Sequence, residues 1–185
     1  TPNYYTHDIS LLSSIQYALD YYHTTKKINI SSAIYYKIDN GSYINSFNGK
    51  YDKMKSFGME LALSYNITKY LSFGFSDLFL NQKIYLDDKE YNSGLNLKYL
   101  IKSQITFSNP KYFTTSLAFT TRPGSYYTKV INAKYNYGAN DFEPFYEDIN
   151  NSNFHDYVRL DFTINRAFPI NNHNLIIFAS VNNIL

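Results

Sequence analysis

The sequence contains neither cysteine nor tryptophan, and it has only seven glycines and five prolines in 185 residues. The lack of cysteine excludes a disulfide framework, a cysteine-based zinc site and a cysteine nucleophile. Long apolar runs are also missing. The longest, from Leu175 to Ala179, falls well below the ~18 residues that a membrane-spanning helix needs, and the mean hydropathy is -0.38. A helical membrane span is therefore excluded.

The sequence also lacks a large excess of positive or negative charge. The 17 basic and 15 acidic residues leave a formal net charge of +2, and no run rich in Lys or Arg occurs. A nucleic-acid partner is therefore not expected, because its electrostatic footprint is missing. Aromatic residues are abundant instead, with 21 Tyr and 14 Phe. Together with frequent Ile and Thr they predict an all-β chain.

Apolar and polar residues alternate over eight segments, which is the signature of two-faced strands. In the clearest segment Leu61 and Leu63 share one face, while Glu60 and Ala62 share the other. In the fourth segment Asp77 falls on the apolar side, which predicts either a bulge or an exit from the apolar band. The predicted strands are residues 9–19, 28–38, 57–67, a strand from residue 71, then 95–107, 112–121, 159–165 and 174–185.

The connections alternate in length. Those at 20–27, 68–70, 109–111 and 169–173 are short, and those at 39–55, 87–94 and 122–156 are long. Alternate connections of an antiparallel meander lie at the same end of the sheet. One trimmed end and one elaborated end are typical of outer-membrane barrels, which have short periplasmic turns and long outer loops.

Alternation alone does not say which way the apolar face points, because a soluble lipocalin-like barrel would turn it inward. The loop asymmetry favours an outward direction. Tyr17, Tyr36 and Tyr65 stand toward the ends of apolar stripes, as an interfacial girdle requires. The second face carries small and ionisable residues that suit a wet lumen. We therefore expect residues 1–185 to be part of a transmembrane antiparallel β-barrel.

Five ionisable residues on the second face are expected to face the lumen, because a charge toward lipid at mid-depth costs about 2 to 4 kcal/mol. Arg159 and Asp161 share a face two residues apart, so an ion-pair ladder is favoured over contact with a plug. The candidates are Glu60, Lys98, Lys102, Arg159 and Asp161.

The longest connection, 122–156, is rich in aromatic residues that could stack on a ligand, since functional residues concentrate on loops. Packing of the loop on itself is the alternative. Its acidic residues Asp141, Glu143, Glu147 and Asp148 are expected to be solvated rather than to bind a cation. The ligand-contact candidates are Tyr126, Tyr127, Tyr135, Tyr137, Phe145 and Tyr146.

Catalytic and metal chemistry find no support in the sequence. His7, His23, His155 and His173 are far apart and lack the spacing of metal ligands. No nucleophile, base and orienting group can be assembled, and no Gly-rich phosphate loop joins a strand to a helix. We expect no metal, no cofactor and no enzymatic activity.

Three motifs resemble the barrel strands of TonB-dependent receptors, in the same order. The first is KSFGMEL at 55–61, entered from a polar loop that ends in NGK at 48–50. The second, TRPGSYY at 121–127, leads into a long Tyr- and Asn-rich loop that ends in DYVRLDF at 156–162. The third, FASVNNIL at 178–185, closes the chain. Together they cover essentially the whole sequence.

The resemblance implies a 22-stranded outer-membrane barrel of a Gram-negative bacterium, closed by a plug domain and coupled to the TonB complex. Such receptors import ferric siderophores, haem, cobalamin, glycans or peptides. This chain would supply C-terminal strands without the final one, and its abrupt start at Thr1 and end at Leu185 are expected of a piece of a longer protein. The alternatives are a self-contained structural or adhesive barrel of eight strands, and a soluble lipid-binding barrel.

Overall fold

The computed structural model describes residues 13–41, 43–44, 49–50, 52–86, 88–171 and 173–185. No helix in this part of the chain is long and apolar enough to cross a membrane. The strands of the described residues are β1 (Ser13–Thr24), β2 (Ile28–Asn40), β3 (Tyr43–Ile44), β4 (Gly49–Lys50), β5 (Lys53–Asn66), β6 (Leu71–Leu86), β7 (Lys89–Asn92), β8 (Leu97–Asn109), β9 (Phe113–Arg122), β10 (Tyr126–Tyr127), β11 (Val130–Asn136), β12 (Asp141–Tyr146), β13 (Ser152–Asn153), β14 (Tyr157–Ile170) and β15 (His173–Val181).

The eight long strands form one antiparallel sheet in the order β1-β2-β5-β6-β8-β9-β14-β15, and β7 pairs with the far end of β6. Each long strand therefore lies beside the next long strand of the chain. This confirms the predicted all-β antiparallel meander. In the described part of the chain β1 and β15 are the two edges of the sheet.

Directly opposite residues of an antiparallel pair project from the same face of a sheet. The register therefore assigns every residue of the sheet to one of two faces. We call them the apolar face, with Phe57, Met59, Leu61, Leu63 and Tyr65 on β5, and the polar face, with Ser56, Gly58, Glu60, Ala62 and Ser64 on β5. Neither face is covered, since Ile84 is the one buried apolar side chain among the described residues.

Four short connections lie together at one end of the strands, which we call the short-turn edge. They are residues 25–27, 67–70, 110–112 and 171–172. Polar side chains close these turns: Thr25 Oγ1 accepts a hydrogen bond from the Ile28 N–H at 2.9 Å, and Thr68 Oγ1 accepts one from the Leu71 N–H at 3.0 Å. At Asn171 the backbone φ is 53°, a conformation that Asn tolerates better than most residues. The longer connections lie at the opposite, long-loop edge.

Several predicted boundaries are wrong. The connection predicted at 20–27 shrinks to 25–27, because β1 continues to Thr24 with Asp20 opposite Ala33 and Tyr22 opposite Ser31. Residues 9–12, the start of the predicted first strand, lie outside the described residues. At the long-loop edge β2 and β5 extend into the connection predicted at 39–55, because their pairing continues as far as Asn40 and Lys53.

The connection predicted at 169–173 is also mostly strand, since β14 runs to Ile170 and Pro169 lies opposite Asn174. The last strand ends at Val181 rather than Leu185, and the chain turns at Asn183, where φ is 56°. The segment 122–156, predicted as a loop, contains an antiparallel hairpin of β11 and β12 above a short β10–β13 ladder.

The fourth strand does not bulge at Asp77. Asp77 keeps its register with Leu61 on β5 and with Ile101 on β8, and the β6–β8 ladder shifts only between Leu78 and Leu80. Two residues of β6 there oppose three of β8, so the irregularity belongs to β8, and Asp77 stays on the apolar face. Its Oδ1 atom is buried and has no hydrogen-bond partner among the described residues.

Candidate functional site

The apolar face carries a band of apolar side chains. The limit of this band toward the long-loop edge shifts from one strand to the next, so the band runs diagonally across the sheet. On β2 the band ends at Ile38, which lies opposite Lys55 of β5. On β5 it ends at Phe57, which lies opposite Asn81 of β6, so that the band on β6 ends at Phe79. Between these strands the upper limit of the band falls by two residues per step toward the short-turn edge.

The limit falls by two more residues on β8, to Ile101 opposite Asp77, and by two again on β9, to Phe119. On β14 it rises by two residues, to Val158, and on β15 it falls to Val181, which lies opposite Phe162. Between β1 and β2 the limit is level, because Ile15 lies opposite Ile38. Two residues along a strand for each step of one strand correspond to an angle of roughly 50°, close to the 35–45° by which strands tilt in closed barrels.

The polar face is lined by small side chains from which a few charged groups rise. Across three strands Lys102, Thr120 and Arg159 lie directly opposite one another. Hydroxyl groups link the same strands, as between Ser116 Oγ and Thr163 Oγ1 at 2.6 Å. The face is therefore polar over β8, β9 and β14, whereas Leu78 and Leu80 on β6 and Phe178 on β15 place apolar side chains on the same face.

Four of the five predicted lumenal candidates lie on this polar face: Glu60, Lys102, Arg159 and Asp161. Arg159 donates from Nε to both carboxylate oxygens of Asp161 at 2.7 Å. Asp161 also accepts the N–H of Asn183 at 2.9 Å. The fifth candidate, Lys98, lies within the register shift of β8, between Leu97 and Leu100, and its Nζ is 5.9 Å from the centre of the Tyr126 ring.

A groove of about 330 Å³ opens where Asp20, Glu60 and Lys102 meet on the polar face. Its floor is formed by residues with short side chains, including Ala62 and Ser76. The two carboxylates and one ammonium group give it a mixed charge, which suits polar groups or water rather than apolar ligands. Asp20 is a participant that the sequence did not indicate, because it fell in a predicted connection.

At its base the segment 123–156 packs on itself. Tyr127 stacks on Phe154 with ring centres 4.3 Å apart, and Gly124 donates its N–H to Asp156 at 3.3 Å. The other carboxylate oxygen of Asp156 accepts the Tyr99 hydroxyl at 2.8 Å. Tyr126 and Tyr127, two of the ligand-contact candidates, are half-buried in this base.

The base is also joined to the neighbouring hairpin of β6 and β7. Asn150 donates its side-chain amide to the carbonyl oxygen of Asn92 at 2.8 Å, and the amide of Asn92 reaches the Asn150 carbonyl at 3.4 Å. The Glu147 carboxylate accepts the Lys129 N–H at 3.0 Å. A hydrogen bond from the Ser152 side chain, followed by that of Lys129, lowers the pKa of Glu147.

The β11–β12 hairpin projects beyond this base and exposes an aromatic face. Tyr135 lies opposite Phe142, and its ring meets Tyr137 and Phe142 edge-on with centres 4.9 and 5.2 Å away. Tyr137 is 88% exposed and Phe142 is 64% exposed. Tyr146 continues this face, whereas Phe145 points to the opposite side of the hairpin by strand alternation.

Side chains close the tip of the hairpin and its outward edges. Asn136 Oδ1 accepts the Gly138 N–H at 3.0 Å, and Tyr135 bonds Asn140 through its hydroxyl. Asn132 caps the outward N–H of Ala133, Asp141 caps that of Phe142, and Pro144 has none. Edges blunted in this way resist pairing with another strand. The side chains of the aromatic face are therefore what the hairpin can offer a ligand.

The sequence did not single out Phe142 and Phe154, although both take part in these aromatic contacts. Among the described residues no group of three or more His, Asp or Glu side chains is arranged to hold a metal ion. Comparison of the chain with protein-family models, curated proteins and solved structures finds no match.

Proposed function

We propose that this sheet is part of the wall of an outer-membrane β-barrel that imports a bulky or scarce ligand, in the manner of the TonB-dependent receptors that the sequence resembles. The apolar face would contact outer-membrane lipid, and the polar face would line an aqueous lumen. A plug domain and the TonB complex are partners by resemblance alone. The diagonal apolar band is the observation that carries the proposal.

A tilted barrel explains the diagonal. In a membrane the apolar band must stay at one height, while strands that tilt by ~35–45° climb relative to their neighbours. The band therefore steps down along the sheet, as it does at each of the four steps from Ile38 on β2 to Phe119 on β9. The elaborated connections at a single edge support the same reading, because outer loops are longer than periplasmic turns.

The edges of the sheet then require partners, since a backbone polar group left unpaired in lipid costs several kcal/mol. Strands β1 and β15 could pair with further strands, as in a 22-stranded barrel, or with each other. The second arrangement is the alternative function, a self-contained structural or adhesive barrel, and the count of eight long strands favours it.

Introduced cysteines separate the two barrels, because the chain has none of its own. One cysteine replaces Tyr17 on β1, and a second is placed in turn at each position of β15. A disulfide needs Cα atoms about 4.4 to 6.8 Å apart, so crosslinking within one molecule requires that β1 and β15 be neighbours. We expect no crosslink at any position, and a crosslink would establish the eight-stranded barrel.

Import itself is tested in cells by exchanging the hairpin 130–146 for that of a receptor with a different ligand. We expect ligand specificity to change or uptake to fall, while the amount of protein in the outer membrane stays the same. Unchanged specificity would show that the hairpin does not determine which ligand is bound.

A soluble lipid-binding barrel is the third alternative. Such a protein would remain monodisperse without detergent.

A further inference from the structure

The charged side chains nearest the apolar band on its long-loop side are lysines. Lys53 and Lys55 precede Phe57 on β5 and share its face, and Lys83 lies directly opposite Lys55 on β6. Tyr85, opposite Lys53, belongs to the same face. We call Lys53, Lys55 and Lys83 the basic cluster. It stands immediately above the last apolar residues of two neighbouring strands.

Among the described residues the Glu90 carboxylate offsets part of the positive charge of the basic cluster. Lys83 Nζ lies 3.3 Å from Glu90, whose other oxygen accepts the Tyr85 hydroxyl at 2.7 Å. Lys55 Nζ lies 4.8 Å above the centre of the Tyr85 ring. Lys55 and Lys83 nonetheless face each other directly, and like charges in directly opposite positions destabilise a strand pair. An external anion would relieve this repulsion.

On the polar face, the lysine of β2 near the long-loop edge has a counter-charge within the protein. Lys37 Nζ lies 3.0 Å from Asp39, whose side chain is 7% exposed. Its charge is therefore neutralised by a carboxylate of its own strand. On the apolar face, by contrast, β5 and β6 carry three lysines, and Glu90 of β7 forms an ion pair with one of them. The basic cluster is therefore a feature of these strands and not of the whole long-loop edge.

We propose that the basic cluster binds the phosphate of an anionic lipid headgroup in the leaflet at the long-loop edge. This inference rests on the proposed function, since it requires the apolar face to contact lipid. The depth fits: acyl chains would cover the band up to Phe57 and Phe79, and the headgroup would meet the lysines directly above. The Tyr85 ring that contacts Lys55 would lie at the membrane–water interface, where Tyr is enriched.

The test uses the complete protein reconstituted in phosphatidylcholine vesicles that contain a trace of spin-labelled phosphatidylglycerol or phosphatidylcholine. The measured quantity is the preference of the protein for the anionic lipid. Each lysine near an anionic surface contributes about a fivefold change in binding. The triple variant Lys53→Gln, Lys55→Gln, Lys83→Gln should therefore lose roughly a hundredfold of this preference. Excess inorganic phosphate should not displace the lipid.

The matched control is Lys89→Gln, Lys129→Gln, Lys134→Gln, which removes the same charge from segments outside the eight long strands and should keep the preference. An equal preference in both triple variants, or full displacement by inorganic phosphate, would overturn the inference.

A fluorophore attached to the cysteine of a Leu61→Cys variant tests the proposed function separately, through its quenching by brominated acyl chains. Quenching without lipid preference defeats this inference alone, and loss of quenching in the otherwise native protein defeats the proposed function. If the triple variant does not insert, Lys55→Gln alone should shift the preference in the same direction.

Discussion

The replacement Gly124→Ala tests whether the base of the outer segment 123–156 is a folded structure. A Cβ atom at Gly124 would lie 1.8 Å from the Phe154 carbonyl oxygen and 2.7 Å from that of His155. Both contacts are with backbone atoms, so the two strands of the base must separate by more than 1 Å. The separation would break the Phe154 to Ser125 backbone hydrogen bond and the stacking of Tyr127 on Phe154.

The size of the effect follows from these losses. Each lost hydrogen bond contributes about 0.5–1.5 kcal/mol, and the aromatic stack contributes about as much again. With the short β10–β13 ladder included, the free energy of local opening should fall by roughly 2–4 kcal/mol. Amide hydrogen exchange at residues 125–127 and 152–154 should then accelerate by roughly 30- to 1,000-fold, while the eight-stranded sheet exchanges as before.

Gly138→Ala is the matched control in the same segment, because the nearest atom to its added Cβ is a side-chain oxygen of Asn136 at 3.4 Å. It should leave exchange unchanged or slightly slower, since alanine restricts the unfolded chain. Equal exchange in the two variants would refute the reasoning, and so would protection at 152–154 that survives Gly124→Ala.

Three further predictions follow. Leu61→Arg should destabilise the protein in lipid vesicles by about 2–4 kcal/mol toward urea, whereas Ala62→Arg, one residue away on the polar face, should cost far less; similar costs would contradict the assignment of the faces. Tyr137→Ser with Phe142→Ser should lower ligand uptake several-fold yet leave amide hydrogen exchange in the eight long strands unchanged, and normal uptake would exclude the tip as a contact. The lowered pKa of Glu147 means that its contribution is complete above the ordinary Glu value of 4.5 and is lost as the pH falls through the lower folded value. Protection factors at Lys129 and Ser152 should therefore fall only in acid, and Glu147→Gln should remove the dependence on pH.

Alternation predicted the long strands because each has one face of similar character along its length. Alternation did not predict the parts of strands in which polar residues interrupt the pattern but the backbone remains paired. Asp20 reads as the start of a turn, yet it extends β1 because its partner on β2 is the small Ala33. The sequence predicted a bulge or an exit from the apolar band at Asp77, yet β6 is regular there, and the register shift belongs to β8, where alternation gave no sign of it.

The outer segment shows the limit of single-sequence reasoning most clearly. The β11–β12 hairpin has a bulge between Val130 and Asn132, which breaks the alternation of its first strand. Its base is held by long-range contacts such as that between Tyr99 and Asp156, which local patterns do not report. The aromatic richness of the segment was visible in the sequence. The division into a packed base with Tyr127 and an exposed tip with Tyr137 was not.

The central claim is that the apolar face contacts lipid and the polar face contacts water. Single cysteines placed in turn at residues 59–64 of β5 test it most directly in reconstituted membranes, with a water-soluble thiol reagent and a lipid-dissolved fluorescence quencher. Met59, Leu61 and Leu63 positions should be quenched from lipid and resist the reagent. Glu60, Ala62 and Ser64 positions should do the opposite. Uniform labelling along the strand, or an alternation of the reverse sense, would contradict the account.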